Sequence, residues 1–381
     1  MKKVGVLTFF RPINNGAVLQ ACAMSKIVLP KLGYTAELID YRLERIEVDR
    51  SVFGVKRILR ETGKAKKVRR VIADIVRFPV NYRQKKIFDA FIHQNLPVGQ
   101  NVYYSEEDLE KECQEYDAYV VGSDLVWSPT MAEGVNPIYF LGFVKNNKLR
   151  VAYAPSVGTT ELSDKDIMDY KLMLSNFDAI SVREESTAIQ LRELTGYNIK
   201  AVLDPTLLTN SEDWNRFYSS NRIIKDEYIF AFALESSQVL IDTVNRLAKE
   251  TGVMVVVYGR ENKLYKAGNV IFLDGKCGPA EFLNYVNNAF KVVTNSFHGC
   301  AFSIIFHKDF YCIPHTTRGI RMIDLLKSLN LDKRIVTEET NLPEEQINYD
   351  LIEQKREKLR EESLNFLKNS LDSKKCEDGL H

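Results

Sequence analysis

The stretch KVVTNSFHGCAFSIIF, Lys291 to Phe306, limits the folds open to this chain more than any other. The β-branched run Val292, Val293, Thr294 reads as a buried parallel strand. Ala301, Phe302, Ile304 and Ile305 then keep an apolar face through a following helix. Thr294-Asn295-Ser296-Phe297-His298-Gly299 is the polar turn between them, at the strand's carboxyl end, where open α/β sheets bind ligands. His298 falls in the first helical turn, where free backbone N–H groups and the helix dipole favour an anion beside an imidazole. That places a phosphate or carboxylate site here. Taken alone, the stretch fits a capping or core histidine more readily.

With 381 residues, 45% of them apolar, the chain can bury two ordinary cores, and two domains are expected. Lys and Arg number 52 against 51 Asp and Glu, so no global charge draws the protein to nucleic acid or anionic lipid, and any anion site is local. The apolar run Val4 to Phe10 stops at Arg11-Pro12 without a cleavage site and reads as the first strand, not a signal segment. No later run has the length of a membrane span. The six cysteines are far apart, without metal-ligand spacing, which fits reduced thiols and predicts no structural metal. A cytoplasmic protein is expected, one able to work at the inner face of a membrane.

Taken in order, KVGVLTFF, RPINNGAVLQACAMSKIVLPKLGY and TAELIDYR form a strand, helix, strand start. Asn14-Asn15-Gly16 lies at the first strand's exit. The turn has neither the glycines of GxGxxG nor the Gly-Lys-Ser/Thr of a P-loop, and is either a plain cap or a ligand contact. Glu44 to Gln94 is basic and lacks strand alternation, so a helical insertion over about 44–95 is expected. Ile58, Val68, Val71, Ile72, Ile75 and Val76 make an apolar stripe with cations opposite. A solvated helical layer is the plainer role for it, and peripheral membrane contact the other.

Ala118 to Val121 is a short buried strand running into Gly122-Ser123-Asp124. There Asp124 suits sugar hydroxyls and the Trp127 ring suits a pyranose face, against plainer roles as cap and core. LRVAYA, Leu149 to Ala154, is the next strand. The strand Asp178 to Val182 exits at Arg183, whose planar fork suits a carboxylate or phosphate unless Glu184 or Glu185 pairs with it. KAVLDP, Lys200 to Pro205, closes this half. After a join at Leu207 to Lys225, strands and helices alternate again through EYIFAFAL, VMVVVY, NVIFL, the His298 stretch and KDFYCIP. Arg318-Gly319-Ile320-Arg321 opens a further helix. Such alternation predicts an α/β protein with a parallel sheet in each half. The expected domains are 1–208, carrying the insertion, and 209–341, with 342–381 forming a helix that returns to the first.

NNGAVLQACAM, VVGSDLVWSP, ISVREES, VLDPTLL and TNSFHG, in that order, resemble the polysaccharide pyruvyl transferase family over most of the chain. The resemblance implies two Rossmann-like domains facing a cleft, as in GT-B glycosyltransferases. It implies phosphoenolpyruvate as co-substrate, with no further cofactor or metal. The acceptor is a sugar, free or on a lipid-linked oligosaccharide, that receives a pyruvate ketal during cell-surface polysaccharide synthesis, with release of phosphate. By position His298 and Asp124 are the catalytic candidates. Arg183, Ser296, Arg318 and Arg321 are those for the donor, and Asn15 and Trp127 those for the acceptor. Relatives carry an arginine two residues before the histidine where this chain has Ser296, so a second donor cation is expected from Arg318 or Arg321. Two other classes compete: a nucleotide-sugar glycosyltransferase of the same architecture, and a sugar-binding assembly protein without turnover.

Overall fold

The computed structural model describes residues 1–52, 63–132, 134–145, 147–159, 161–259, 265–266, 268–338, 342–343 and 345–373. Seven strands form the first sheet: β1 (Lys3–Leu7), β2 (Thr35–Tyr41), β3 (Val98–Tyr103), β4 (Ala118–Val121), β5 (Leu149–Ala152), β6 (Ala179–Val182) and β7 (Ile199–Ala201). Five form the second: β8 (Tyr228–Ala233), β9 (Met254–Gly259), β10 (Val270–Phe272), β11 (Lys291–Thr294) and β12 (Asp309–Cys312). Their orders are β3-β2-β1-β4-β5-β6-β7 and β10-β9-β8-β11-β12, with every strand pairing parallel among the described residues. The central strands β4, β5 and β8 are buried at every position, because helices cover both faces of a parallel sheet. Both sheets are Rossmann-like, and the chain has the expected GT-B-like fold.

Three local departures from the sequence pattern have physical causes. The strand expected over Lys200–Pro205 stops at Ala201; Pro205 lacks an N–H for the ladder and opens a short helical turn, Pro205–Leu208. Strand β3 is not announced by the sequence, since GQN in its middle is partly exposed on a sheet edge, where apolar alternation is not required. In the basic segment a short helix, Glu44–Arg50, precedes a long one, Lys64–Asn95. Ile58 of the predicted stripe lies outside the described residues. Of the rest, Val71 is half-buried and the others face solvent, with Val68, Ile72 and Ile75 each 56% exposed.

The long helix reaches the second sheet. Gln84 Nε2 lies 3.5 Å from the Tyr258 hydroxyl, and a Cβ on Gly275 would sit 2.7 Å from the Val80 carbonyl oxygen. Gly275 also has φ of +63°, so glycine alone fits this approach without strain. The last helix, Tyr349–Asp372, packs on the first sheet's side. Its Arg356 donates to the Leu207 and Thr209 carbonyls, its Ser363 hydroxyl accepts from the Leu203 N–H, and Lys2 donates to the Leu371 carbonyl. The carboxyl ends of β1, β4, β6 and β7 thereby meet those of β8, β11 and β12 across a shared cleft.

Candidate functional site

The His298 turn is built from β11 and β8 together. Thr294 Oγ1 donates to the Phe232 carbonyl, and Asn295 Oδ1 accepts from the Leu234 N–H at 2.7 Å. Ser296 caps the helix Phe297–Ile305, its hydroxyl accepting from the Gly299 N–H. A Cβ on Gly299 would lie 2.3 Å from Thr294 Oγ1, so the helix starts tight against its strand. His298 therefore stands in the first turn, as its sequence position predicts, and is 6% exposed. Its ring leaves the second sheet and packs on the first: a Cβ on Gly16 would lie 2.1 Å from His298 Nδ1. Gly16 is thus the floor beneath the imidazole. His298 Nε2 has no hydrogen-bond partner and lies 3.8 Å from Asp204 Oδ2, an ion-pair distance.

Asp204 is the hub of the site. Fully buried past the end of β7, it accepts through Oδ1 from the Thr206 N–H and hydroxyl. Its Oδ2 takes the Ser123 hydroxyl at 2.8 Å and Arg183 Nη1 at 3.0 Å. Burial alone would raise its pKa, but His298, Arg183 and the Thr206 N–H together hold it far below the ordinary carboxylate range. Asp204 is therefore ionised at neutral pH. Arg183 is gripped on a second side by Glu184, Nε to Oε1 at 3.1 Å, and its guanidinium lies 4.1 Å from the Phe297 ring centre. Its Nη2 is buried without a partner, and so is Glu184 Oε2.

Arg183 thus takes the plainer of the two roles the sequence offered, pairing with Glu184, and keeps one donor, Nη2, without a partner. Burial would weaken its proton affinity, but Glu184, Asp204 and Asp124 raise it. Arg321 joins it from the helix Ile320–Ser328. Burial and the neighbouring Arg183 charge push its pKa down to about 10, against the pull of Glu184 and Asp124. Arg183 and Arg321 line one cavity.

Asp124 is half-buried just past β4, with φ of +63° and a cis bond between Gly122 and Ser123 before it. Its carbonyl accepts from the Ser156 N–H, and its charge acts on both arginines. Arg318 borders that centre, its carbonyl accepting from Arg321 Nε at 3.3 Å and its charge acting on Arg321, while its guanidinium turns to other partners. It donates to His315 Nε2 at 3.2 Å and approaches the Met131 sulfur, while His315 Nδ1 lies 3.5 Å from Glu235. Trp127 does not meet the expectation of a sugar platform. It is 1% exposed, stacks on Phe140 at 4.8 Å and donates to the Tyr139 carbonyl, so the indole is core. Ser296, a donor candidate by the family resemblance, serves here as a helix cap.

Two cavities flank this cluster. One of about 180 Å3 is lined by Arg183, Asp204, Phe297, Arg321, Asp324 and Ser363. The other, about 350 Å3, lies between the sheets against Asn15, Arg50, Arg77, Asn81, Gln84 and Tyr258. Asn15 is 1% exposed, and its Oδ1 has no partner. His298 lines neither cavity: it packs over Gly16, the residue after Asn15, and lies 3.8 Å from Asp204 in the wall of the smaller one.

Two parallel, Rossmann-like sheets facing a cleft define a protein of the GT-B-like fold class. The polysaccharide pyruvyl transferase family profile matches residues 14–317, and the chain belongs to that family. Its activity is that of a transferase in polysaccharide biosynthesis. Among solved structures, the UDP-GlcNAc 2-epimerase from Methanocaldococcus jannaschii superposes with a TM-score of 0.51 at 12% identity, covering 94% of this chain and 92% of that one. The Rickettsia bellii UDP-N-acetylglucosamine 2-epimerase is similar at a TM-score of 0.48 and 11% identity, over 98% and 97% of the two chains. The first likeness shows a shared fold and nothing about substrate. No curated protein matches the chain.

The sequence reading did not single out Asp204, Gly16, Ser123 or Glu184 as site residues. For Asp204 the signal was present: a carboxylate just past a strand end, the same rule that selects Arg183. For Gly16 there was none, because its role is the absence of a side chain below a ring from the other sheet.

Proposed function

We propose that the chain transfers the pyruvyl group of phosphoenolpyruvate to two hydroxyls of one sugar as a ketal. The observation that carries this reading is the buried pair Arg183 and Arg321 at a strand exit, one nitrogen of Arg183 unpartnered, with His298 beside it. Phosphoenolpyruvate has a carboxylate and a phosphate within one small molecule. Paired guanidiniums suit both. A proton is added to the methylene carbon and makes it a methyl group, while C2 takes on oxocarbenium character. One sugar hydroxyl adds to C2 and gives up its proton. The C2–O bond to phosphate breaks, and the second hydroxyl closes the ketal with loss of its own proton. One hydroxyl proton balances that gained by carbon, and the other leaves with phosphate. His298, whose Nε2 lies 3.8 Å from Asp204 Oδ2, is the first candidate for acid and base. Asp124, facing both arginines, is the second candidate for proton transfer.

Thermal melting of the full chain tests the donor, because a ligand that binds the native state alone stabilises it by about 2.7 kcal/mol at a hundredfold excess over Kd. Phosphoenolpyruvate raises Tm and a panel of UDP-sugars does not. A rise with UDP-sugars alone would replace this reading with that of a nucleotide-sugar transferase.

A further inference from the structure

The helix Lys64–Asn95 has two unlike faces. Arg77, Val80, Asn81 and Gln84 line the larger cavity. At 100° per residue, Val68, Ile72, Ile75 and Tyr82 fall in one row on the opposite side. That row is solvent-exposed, and Val76 (71% exposed) and Phe78 flank it. Of the sixteen large hydrophobic residues exposed among the described residues, these six lie within Val68–Tyr82. A single exposed leucine or isoleucine is ordinary, but such a concentration marks a surface that is covered in use. Between Lys64 and Lys86 the sequence has nine Lys and Arg and one acid, Asp74, which is buried. Arg69, Arg83 and Lys86 are exposed along the apolar row or its border.

We propose that this outward face docks on an anionic lipid bilayer, with the helix lying in the plane of the headgroups. Apolar side chains then enter the acyl boundary while lysines and arginines meet lipid phosphates. The spacing of Val68, Ile72 and Ile75 also fits a helix of a second copy, but pairing two copies would press two strongly cationic segments together with no exposed acid between Lys64 and Lys86 to relieve them. Charge selects the lipid. Since the opposite face lines the larger cavity, docking brings that cavity within about one helix diameter, 10–12 Å, of the headgroups. The acceptor class that geometry favours is a sugar carried on a membrane lipid, a consequence that rests on the pyruvyl-transfer reading.

Co-sedimentation of the full-length protein with vesicles tests the docking without any turnover, so its failure leaves the donor assignment standing. Wild type pellets with phosphatidylcholine vesicles containing phosphatidylglycerol, and at least about tenfold less with phosphatidylcholine alone or in high salt. The double substitution Ile72→Glu/Ile75→Glu, on exposed positions, lowers partition about tenfold or more with the melting temperature kept. Arg69→Glu/Lys86→Glu weakens binding to the anionic vesicles alone. Absence of pelleting with anionic vesicles, or equal pelleting of wild type and the isoleucine variant, overturns the proposal. So does sedimentation velocity showing a dimer that Ile72→Glu/Ile75→Glu dissolves, which would give the face to a second copy.

Discussion

Replacing Asp204 with asparagine keeps the shape of the side chain and removes the charge on which the site is strung. Oδ2 now balances Arg183 at 3.0 Å and takes the Ser123 hydroxyl at 2.8 Å, in a position with no solvent exposure. An amide there leaves Arg183 with Glu184 as its remaining salt-bridge partner and turns an N–H2 or a weaker acceptor toward two donors. Breaking a buried ion pair from one side costs about 3–5 kcal/mol. The Thr206 bonds to Oδ1 survive, so about 3 kcal/mol is expected, a fall in Tm of about 6–12 °C for a domain of this size. The pH dependence has a definite sign. The folded pKa of Asp204 lies below its unfolded value, so its contribution is complete above about pH 4 and is lost as pH falls toward the folded value. Urea unfolding of wild type and Asp204→Asn should therefore show a gap that is full at pH 7 and narrows in acid below about pH 4. A neutral-pH gap under about 0.5 kcal/mol, the ordinary scatter of surface substitutions, or a gap that widens in acid, would refute the hub role.

Arg183→Ala should raise KM for phosphoenolpyruvate more than that for the acceptor, with Arg183→Lys recovering part of the loss because it lacks the planar fork; an unchanged donor KM would make the guanidinium structural. Gly16→Ala places a methyl where His298 Nδ1 stands 2.1 Å away, and a shift of about 1 Å in the ring should cost about a hundredfold in kcat/KM; undiminished turnover would remove the imidazole from the chemistry. Trp127→Phe orphans the Tyr139 carbonyl and should destabilise by about 1–3 kcal/mol while leaving acceptor KM unchanged, as read by melting and kinetics; the reverse pattern would restore the indole as a sugar platform.

The parts of the fold legible in the sequence were those fixed by local pattern. Val292 to Thr294 followed by a polar turn and an apolar helix is a parallel strand exit wherever it occurs, and the Arg183 exit could be read in the same way. What brings these two exits together is a contact between sheets, between residues more than a hundred positions apart. No periodicity records it. Asp204 was hidden because an Asp before Pro is a common cap, and it does cap Thr206 while serving Arg183 and Ser123. Trp127 misled because a ring near a polar turn looks the same in sequence whether it faces the cleft or Phe140. Exposure of Val68, Ile72 and Ile75 was left open by the pattern, since an apolar stripe serves equally to pack on the protein's own core or to face outward.

The central claim is that His298 moves protons in pyruvyl transfer, and turnover by His298→Gln tests it most directly. Glutamine preserves much of the polar shape in the space above Gly16 and cannot act as an acid or base near neutral pH. His307→Gln is the control: that ring is exposed, stacks on Tyr349 and pairs with Glu353 far along the same helix end, whereas His315 touches Arg318 and is less neutral a comparison. Phosphate release from phosphoenolpyruvate, coupled to mass spectrometry of the pyruvylated glycan, should fall by about two orders of magnitude or more in His298→Gln with its melting curve kept, and stay near wild type in His307→Gln. Near wild-type turnover by a folded His298→Gln protein would contradict the account and return this histidine to packing, with the proton donor to be sought at Asp124.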